Sequence, residues 1–194
     1  RPGAALFLDT RSLETDLVRL PVGLEIAVVN SGLRHSHATG AYTQRQRECQ
    51  EAAARLGVAA LRDVAEDRRA EIDALPPPLA QRARHVVTEN ARVLKATAAL
   101  RARNVVAFGR LLDASHASLR DDYEVSVSGI DAMVDIAKAQ RGVLGARLTG
   151  GGFGGAIVIA TRSGFAAQVA QAVARRARTE LFLEATVVVP AAKA

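Results

Sequence analysis

The feature that most constrains this chain is the run Gly145-Ala146-Arg147-Leu148-Thr149-Gly150-Gly151-Gly152-Phe153-Gly154-Gly155, where five of the last six residues are glycine. Side chains do not cover the backbone amides of such a stretch, and positive φ is open to most of its residues. Two readings follow: a tight connection between strands, and a nest of amides that approaches phosphate oxygens. A hairpin turn by itself needs far fewer glycines, so the run favours the approach of phosphate or another ligand. Gly150, Gly152 and Gly155 satisfy the spacing GxGxxG. The residues behind them, Ala156-Ile157-Val158-Ile159-Ala160, are strand-like where a dinucleotide fingerprint requires a helix. No Lys-Ser/Thr pair closes the run, which excludes a P-loop.

Composition bounds the rest. At 194 residues, with 49% hydrophobic and 24% charged, the chain is long enough for a real core and too apolar for a disordered segment. The single cysteine, Cys49, excludes a disulfide framework and a CxxC zinc ribbon. No apolar run approaches the roughly 20 residues that cross a bilayer, and no signal region opens the chain. A cytoplasmic protein without a membrane partner is expected. The net charge of +6 raises nucleic acid as a partner. All but three of the 26 basic residues are arginines, however, and they are scattered along the chain. Aromatic residues make up only 4%, too few for a row of stacking platforms. Solvated arginine-rich helix faces are the expected use of this charge, with no nucleic-acid partner.

Hydrophobic spacing predicts strands over residues 5–9, 16–20 and 24–29. A helix follows from Tyr42 to a stop at Gly57, and then an acidic stretch rich in breakers that reaches Pro76-Pro77-Pro78. Long helices are expected over residues 79–101 and 105–119, and another from Asp131 to Gly142. The tail reads strand (146–148), glycine turn, strand (156–161), helix capped by Ser163, and strand (185–189). A helix crossing between short strands suggests an α+β domain with a split βαβ layout and helices packed on one face. The first strands look like members of a sheet whose partners lie elsewhere.

Other chemistry-bearing residues are weaker signals. His35 and His37 would share a strand face and could ligate a metal, but no third ligand is near in sequence. Asp121-Asp122-Tyr123 could hold magnesium, though adjacent carboxylates after Arg120 more often end a helix as paired charges. His85 and His116 read as ordinary partly buried histidines on amphipathic helices, and Cys49 as an inert thiol on an apolar face.

Several segments together resemble the GHMP kinase superfamily, and within it the galactokinase family. These are the glycine run 145–155, Arg11-Ser12-Leu13-Glu14-Thr15, Asn30-Ser31-Gly32-Leu33-Arg34-His35-Ser36, and Tyr42 followed by Arg45, Arg47 and Cys49. The stretch from Ser115 through Asp121-Asp122-Tyr123-Glu124-Val125-Ser126 completes the set. The resemblance covers nearly the whole chain, in order, and is to the C-terminal half of such a kinase. It implies a C-terminal ferredoxin-like domain with added helices over residues 25–194, with residues 1–24 as remnant strands of an N-terminal domain.

The implied activity is ATP-dependent phosphorylation of D-galactose at its C1 hydroxyl, with Mg²⁺. The alternatives are a non-catalytic sugar-sensing relative, or a kinase for a related sugar such as N-acetylgalactosamine. Tyr42 matches a tyrosine that contacts the sugar. Gly150, Gly151, Gly152, Phe153, Gly154 and Gly155 match a loop that closes over the sugar and terminal phosphate. Arg34 matches an arginine near the active site. The family's ATP motif and catalytic aspartate precede the matched region, so the expected partners are galactose, ATP and the N-terminal half, and the chain alone is expected to be inactive. His37, Gln46, Val127 and Ala156 depart from the family, where Leu, Arg, Cys and Cys are expected.

Overall fold

The structure, a computed structural model, describes residues 3–33 and 38–189. Strands β1 (Ala4–Leu8) and β2 (Thr15–Arg19) pair with each other antiparallel, Leu6 opposite Leu17. Strand β3 (Leu24–Asn30) leads to a helical cluster of α1 (Ala38–Arg55), α2 (Arg69–Asp73) and α3 (Leu79–Arg101). Helices α4 (Val105–Asp121) and α5 (Ser128–Lys138) follow. Then come β4 (Val143–Thr149), β5 (Ala156–Arg162), α6 (Ala166–Glu180) and β6 (Thr186–Val189).

The main sheet has the order β4-β5-β3-β6, and each neighbouring pair is antiparallel. β5 and β6 therefore run parallel on either side of β3, joined by α6. β3 and β4 likewise flank β5. This double split crossover is the ferredoxin-like layout that the tail of the sequence suggests.

Strand alternation sorts the core into two layers. Ala27, Val29, Ala146, Leu148, Ile157 and Ile159 point to one face and bury Ile130, Met133 and Val134 of α5 with Val169 and Val173 of α6. Leu24, Ile26 and Ala160 point to the other, where Val18 of β2, Leu100 of α3 and Phe108 of α4 meet them. Helices thus pack on both faces rather than one. A separate apolar cluster joins α1, α2 and α3 through Ala53, Leu56, Ile72, Ala83 and Val87.

Strand β4 lies at the sheet edge, where outward amides would go unpaired. Helix α4 lies along it and supplies side-chain acceptors in place of a strand. Asp113 Oδ1 accepts the Ala146 amide at 2.9 Å, and His116 Nδ1 accepts that of Leu148 at 3.4 Å. Glycine allows the close approach. A Cβ on Gly109 would sit 2.1 Å from the Leu144 carbonyl oxygen, and one on Gly145 2.0 Å from that of Gly109. The register of β4 against β5 shifts at this point, between Val143 and Gly145.

Further expectations change: β4 spans Val143–Thr149 rather than 146–148, and α1 starts at Ala38 rather than Tyr42. Ser163 does not cap α6: it lies in a turn with Gly164 at φ 84°, its own amide bonded to Gly23 O, and Phe165 takes the cap position. The Ala166 amide is instead accepted by Glu25 of β3 at 3.2 Å, a cap supplied by a distant strand. Helix α5 starts at Ser128 rather than Asp131 because Ile130 and Asp131 already bond back to Val127 O.

Gly109→Ala must push α4 off β4 and strand the edge amides. We expect it to lower the unfolding free energy by about 3 kcal/mol or more, read from the urea midpoint. An unchanged midpoint would show that the helix is not held by this contact.

Candidate functional site

Four of the five segments that the sequence singles out gather at one end of the sheet; in the fifth, Arg11–Thr15, Arg11 pairs with Asp63 instead. Asn30 and Thr149 both stand opposite Ala156, and Asn30 also faces Thr186, so β3 and β4 end where β5 and β6 begin. Residues 31–33, the first half of α1, the link 122–125 between α4 and α5, and the loop 150–155 all meet there.

The loop rests on two carbonyls. The Phe153 amide donates to Val125 O at 2.6 Å, and that of Gly155 to Leu33 O at 3.4 Å. Gly155 O accepts from the amide of Ser31 at 2.8 Å and from its hydroxyl at 2.7 Å. Gly150, Gly152, Gly154 and Gly155 all have positive φ. A Cβ on Gly152 would lie 2.6 Å from Val125 O, and one on Gly154 2.9 Å from Leu33 O. Backbone conformation therefore accounts for four of the five glycines without a ligand. Gly151 is different: its φ is not positive, it is exposed, and a Cβ there would meet nothing within 4 Å.

The link beneath the loop is held by two arginines. Arg82 of α3, only 2% exposed, donates from Nε to Glu48 at 2.7 Å and through its two terminal nitrogens to Asp122 O at 2.5 Å and Glu124 Oε2 at 2.6 Å. Arg45 of α1 donates to Tyr123 O at 2.7 Å and Glu124 O at 3.3 Å, and pairs with Glu48 at 3.1 Å. Burial pushes the Glu48 carboxyl up, but Arg82, Gln44 and Arg45 more than offset it and hold it below the ordinary range. Tyr42 stands one turn before Arg45. It is 54% exposed, and it lies near enough to Tyr123 to add to the upward push that burial gives that phenol.

Tyr123 also stacks on His85, ring centroids 4.4 Å apart, and accepts a weak bond from the Cys49 thiol at 3.9 Å. Burial raises the thiol, consistent with the inert cysteine expected. His85 Nδ1 meets Ser118 Oγ at 3.0 Å, and Ser118 donates to Asp122. Both histidines are more buried than the sequence reading placed them. His116 Nδ1 accepts from the Leu148 amide, its Nε2 lies 3.3 Å from Asp131, and burial lowers its pKa. A second cluster ties α3 and α4 to β4 just before the loop: Glu89 accepts from Ser115 at 2.5 Å, Arg92 at 2.7 Å and Arg147 at 2.9 Å.

Arg34, His35 and His37 lie outside the described residues. Asp121 pairs with Arg120, and Asp122 with Arg84. Among the described residues no group of three His, Cys, Asp or Glu could hold a metal ion. Nor is any described helix long and apolar enough to cross a membrane. The sequence reading missed Arg82, Glu48 and Glu89. The signal available was position: Arg82 follows Leu79 by three residues and precedes His85 by three, on the apolar side of its helix.

Residues 96–179, from within α3 almost to the end of α6, match the family described as GHMP kinases C terminal. Among curated proteins and solved structures the chain is similar to galactokinases. The chain is 49% identical over 158 residues to a Haemophilus influenzae galactokinase, covering 79% of the chain and 41% of that relative. It is 47% identical over 164 residues to one from Roseiflexus, covering 81% and 42%. It superposes on the galactokinase of Lactococcus lactis complexed with galactose with a TM-score of 0.85, at 32% identity, covering 96% of this chain and 50% of that one. The L. major mevalonate kinase in complex with R-mevalonate shares the fold, with a TM-score of 0.58 at 16% identity. The chain spans less than half the length of these curated relatives.

His85 gives the site a pH signature. Burial lowers its pKa from 6.5 to about 4, so the unfolded chain binds more protons between those values. Its contribution is complete above pH 6.5 and is lost as pH falls toward 4, by up to about 3 kcal/mol. Urea unfolding at stepped pH should show this slope in the wild type and a shallower one in His85→Gln. Equal slopes would remove His85 as the cause.

Proposed function

We propose that this chain is the C-terminal part of a galactokinase, which transfers the terminal phosphoryl group of ATP to the C1 hydroxyl of D-galactose. The observation that carries the reading is the 49% identity to a galactokinase over 79% of the chain. On this reading residues 25–194 form the C-terminal domain, and residues 1–24 belong to the domain before it. The exposed face of the β1–β2 pair supports that division: Leu6, Leu8 and Leu17 point outward, opposite the side that packs on the core.

Phosphoryl transfer is catalysed mainly by positioning and electrostatics, and each site residue has work of that kind to do. Tyr42 presents an exposed phenol to the sugar: its hydroxyl suits a sugar hydroxyl, and its ring suits the apolar face of the pyranose. The open end of the loop at Gly150 and Gly151 leaves room for the terminal phosphate to approach backbone without meeting a side chain. Its fastened end at Phe153 and Gly155 keeps that surface in place. Arg34 supports the active site from the segment after β3. The aspartate that orients the C1 hydroxyl, the main ATP contacts and the groups that hold Mg²⁺ lie in the preceding half. The metal supplies neutralisation of phosphate charge when bound, and no described residue is assigned to it.

The complete protein should phosphorylate galactose with ATP, and the 194-residue chain alone should not. A panel of galactose and N-acetylgalactosamine separates the sugars, and an absence of turnover with sugar binding retained would favour a sensor. Tyr42→Phe should raise the galactose KM about threefold to tenfold with little change in kcat. Gly151→Ala should leave the melting temperature unchanged and lower kcat about tenfold, because the added methyl meets only the incoming phosphate. Full activity in Gly151→Ala would remove the loop's open end from the site.

A further inference from the structure

The link between α4 and α5 has an unusual hydrogen-bond account. It belongs to no helix or strand, yet four consecutive carbonyls are taken up by partners from three elements. Asp122 O is held by Arg82, and Tyr123 O and Glu124 O by Arg45. Val125 O accepts the Phe153 amide of the glycine loop. Glu124 stands at φ 53°, in a left-handed conformation that a non-glycine residue adopts only where its surroundings hold it. All three guanidinium nitrogens of Arg82 are engaged, each with a different residue on α1 or the link. A planar fork suits this task in a way that a lysine ammonium does not.

The sequence of contacts is continuous. Glu48 on α1 binds both Arg45 and Arg82, and Arg45 stands one turn from Tyr42. The two arginines grip residues 122–124, and the next residue carries the loop. We infer that Arg82 is a positioning residue: with Arg45 and Glu48 it fixes the height of the glycine loop relative to the sugar-facing end of α1. This rests on the galactokinase reading for its catalytic consequence, but not for its structural one. Arg82 touches neither sugar nor phosphate. Its effect passes through the Val125 carbonyl and the packing of Gly152 over Val125.

Two variants test it in the complete protein. Arg82→Lys keeps a cation but loses the fork. Glu124→Gln alters a side chain that is 53% exposed, a change the fold tolerates, while weakening both of its arginine contacts. Amide exchange at residues 152–155, measured without substrate, should quicken about tenfold in Arg82→Lys and less in Glu124→Gln, with α6 unchanged. With ATP and galactose, kcat should fall about tenfold while the dissociation constant of galactose moves less than about threefold. Unchanged exchange in the loop, or a rise spread evenly over the domain, would overturn the proposal and leave Arg82 a general stabiliser. Should the wild type lack sugar kinase activity, the functional reading fails, yet the exchange result still decides whether the clamp holds the loop.

Discussion

Everything around the glycine loop depends on how the edge of β4 is finished. An edge strand with bare amides cannot be buried beneath a helix unless something accepts them. Here Asp113 and His116, three residues apart on α4, take the two outward amides that a neighbouring strand would have taken. The arrangement works only because Gly109 and Gly145 let the helix backbone touch the strand backbone. With α4 locked against β4, its C-terminal end and the link that follows are delivered to the mouth of the β4–β5 hairpin.

From there the glycine loop has two ends with different physics. The end nearest β5 is packed on Val125 and Leu33 and tied to Ser31, so its glycines answer to contacts inside the fold. The end nearest β4 is open, and Gly151 has no such contact. Under the proposed function the open end faces phosphate, and such a surface benefits from this division. Amides that must meet a ligand without rearrangement need a rigid mount, and the mount needs glycine for reasons unrelated to the ligand. The count of glycines alone was therefore a weaker argument for a ligand than it looked, since the hairpin seat accounts for most of them.

Periodicity revealed the elements well because most are amphipathic against a single core. The long helix over residues 79–101 matches α3 at both ends, and the strand after the glycines matches β5 within a residue. What stayed hidden were interactions between distant residues. Ser163 has the right chemistry for a cap, but Glu25 of β3 does that work across the fold. Gly109 and Gly145 sit singly within a helix and a strand, and nothing local marks them as partners. Arg82 resembles every other arginine in a basic chain, and only its place beside Leu79 and Ala83 on one helix face hints that it is inside. Family resemblance pointed to Tyr42 and the glycines, while nothing in the sequence marked the buried charges packed around them.

The arginine-rich composition also changes meaning. Scattered cations look like solvated faces, and many here are, as in the exposed pair of Arg176 with Glu180. Arg45, Arg82, Arg92 and Arg147 are different: each enters a cluster with a shielded carboxylate, Glu48 or Glu89, that its arginines keep ionised. Exposed pairs add little stability, but removing one partner from a buried cluster leaves a charge without compensation. Both clusters flank the same loop, one beneath Val125 and the other at Arg147 just before the glycines. A loop too small and too glycine-rich to hold its own shape thus takes its rigidity from charges fixed on the helices behind it.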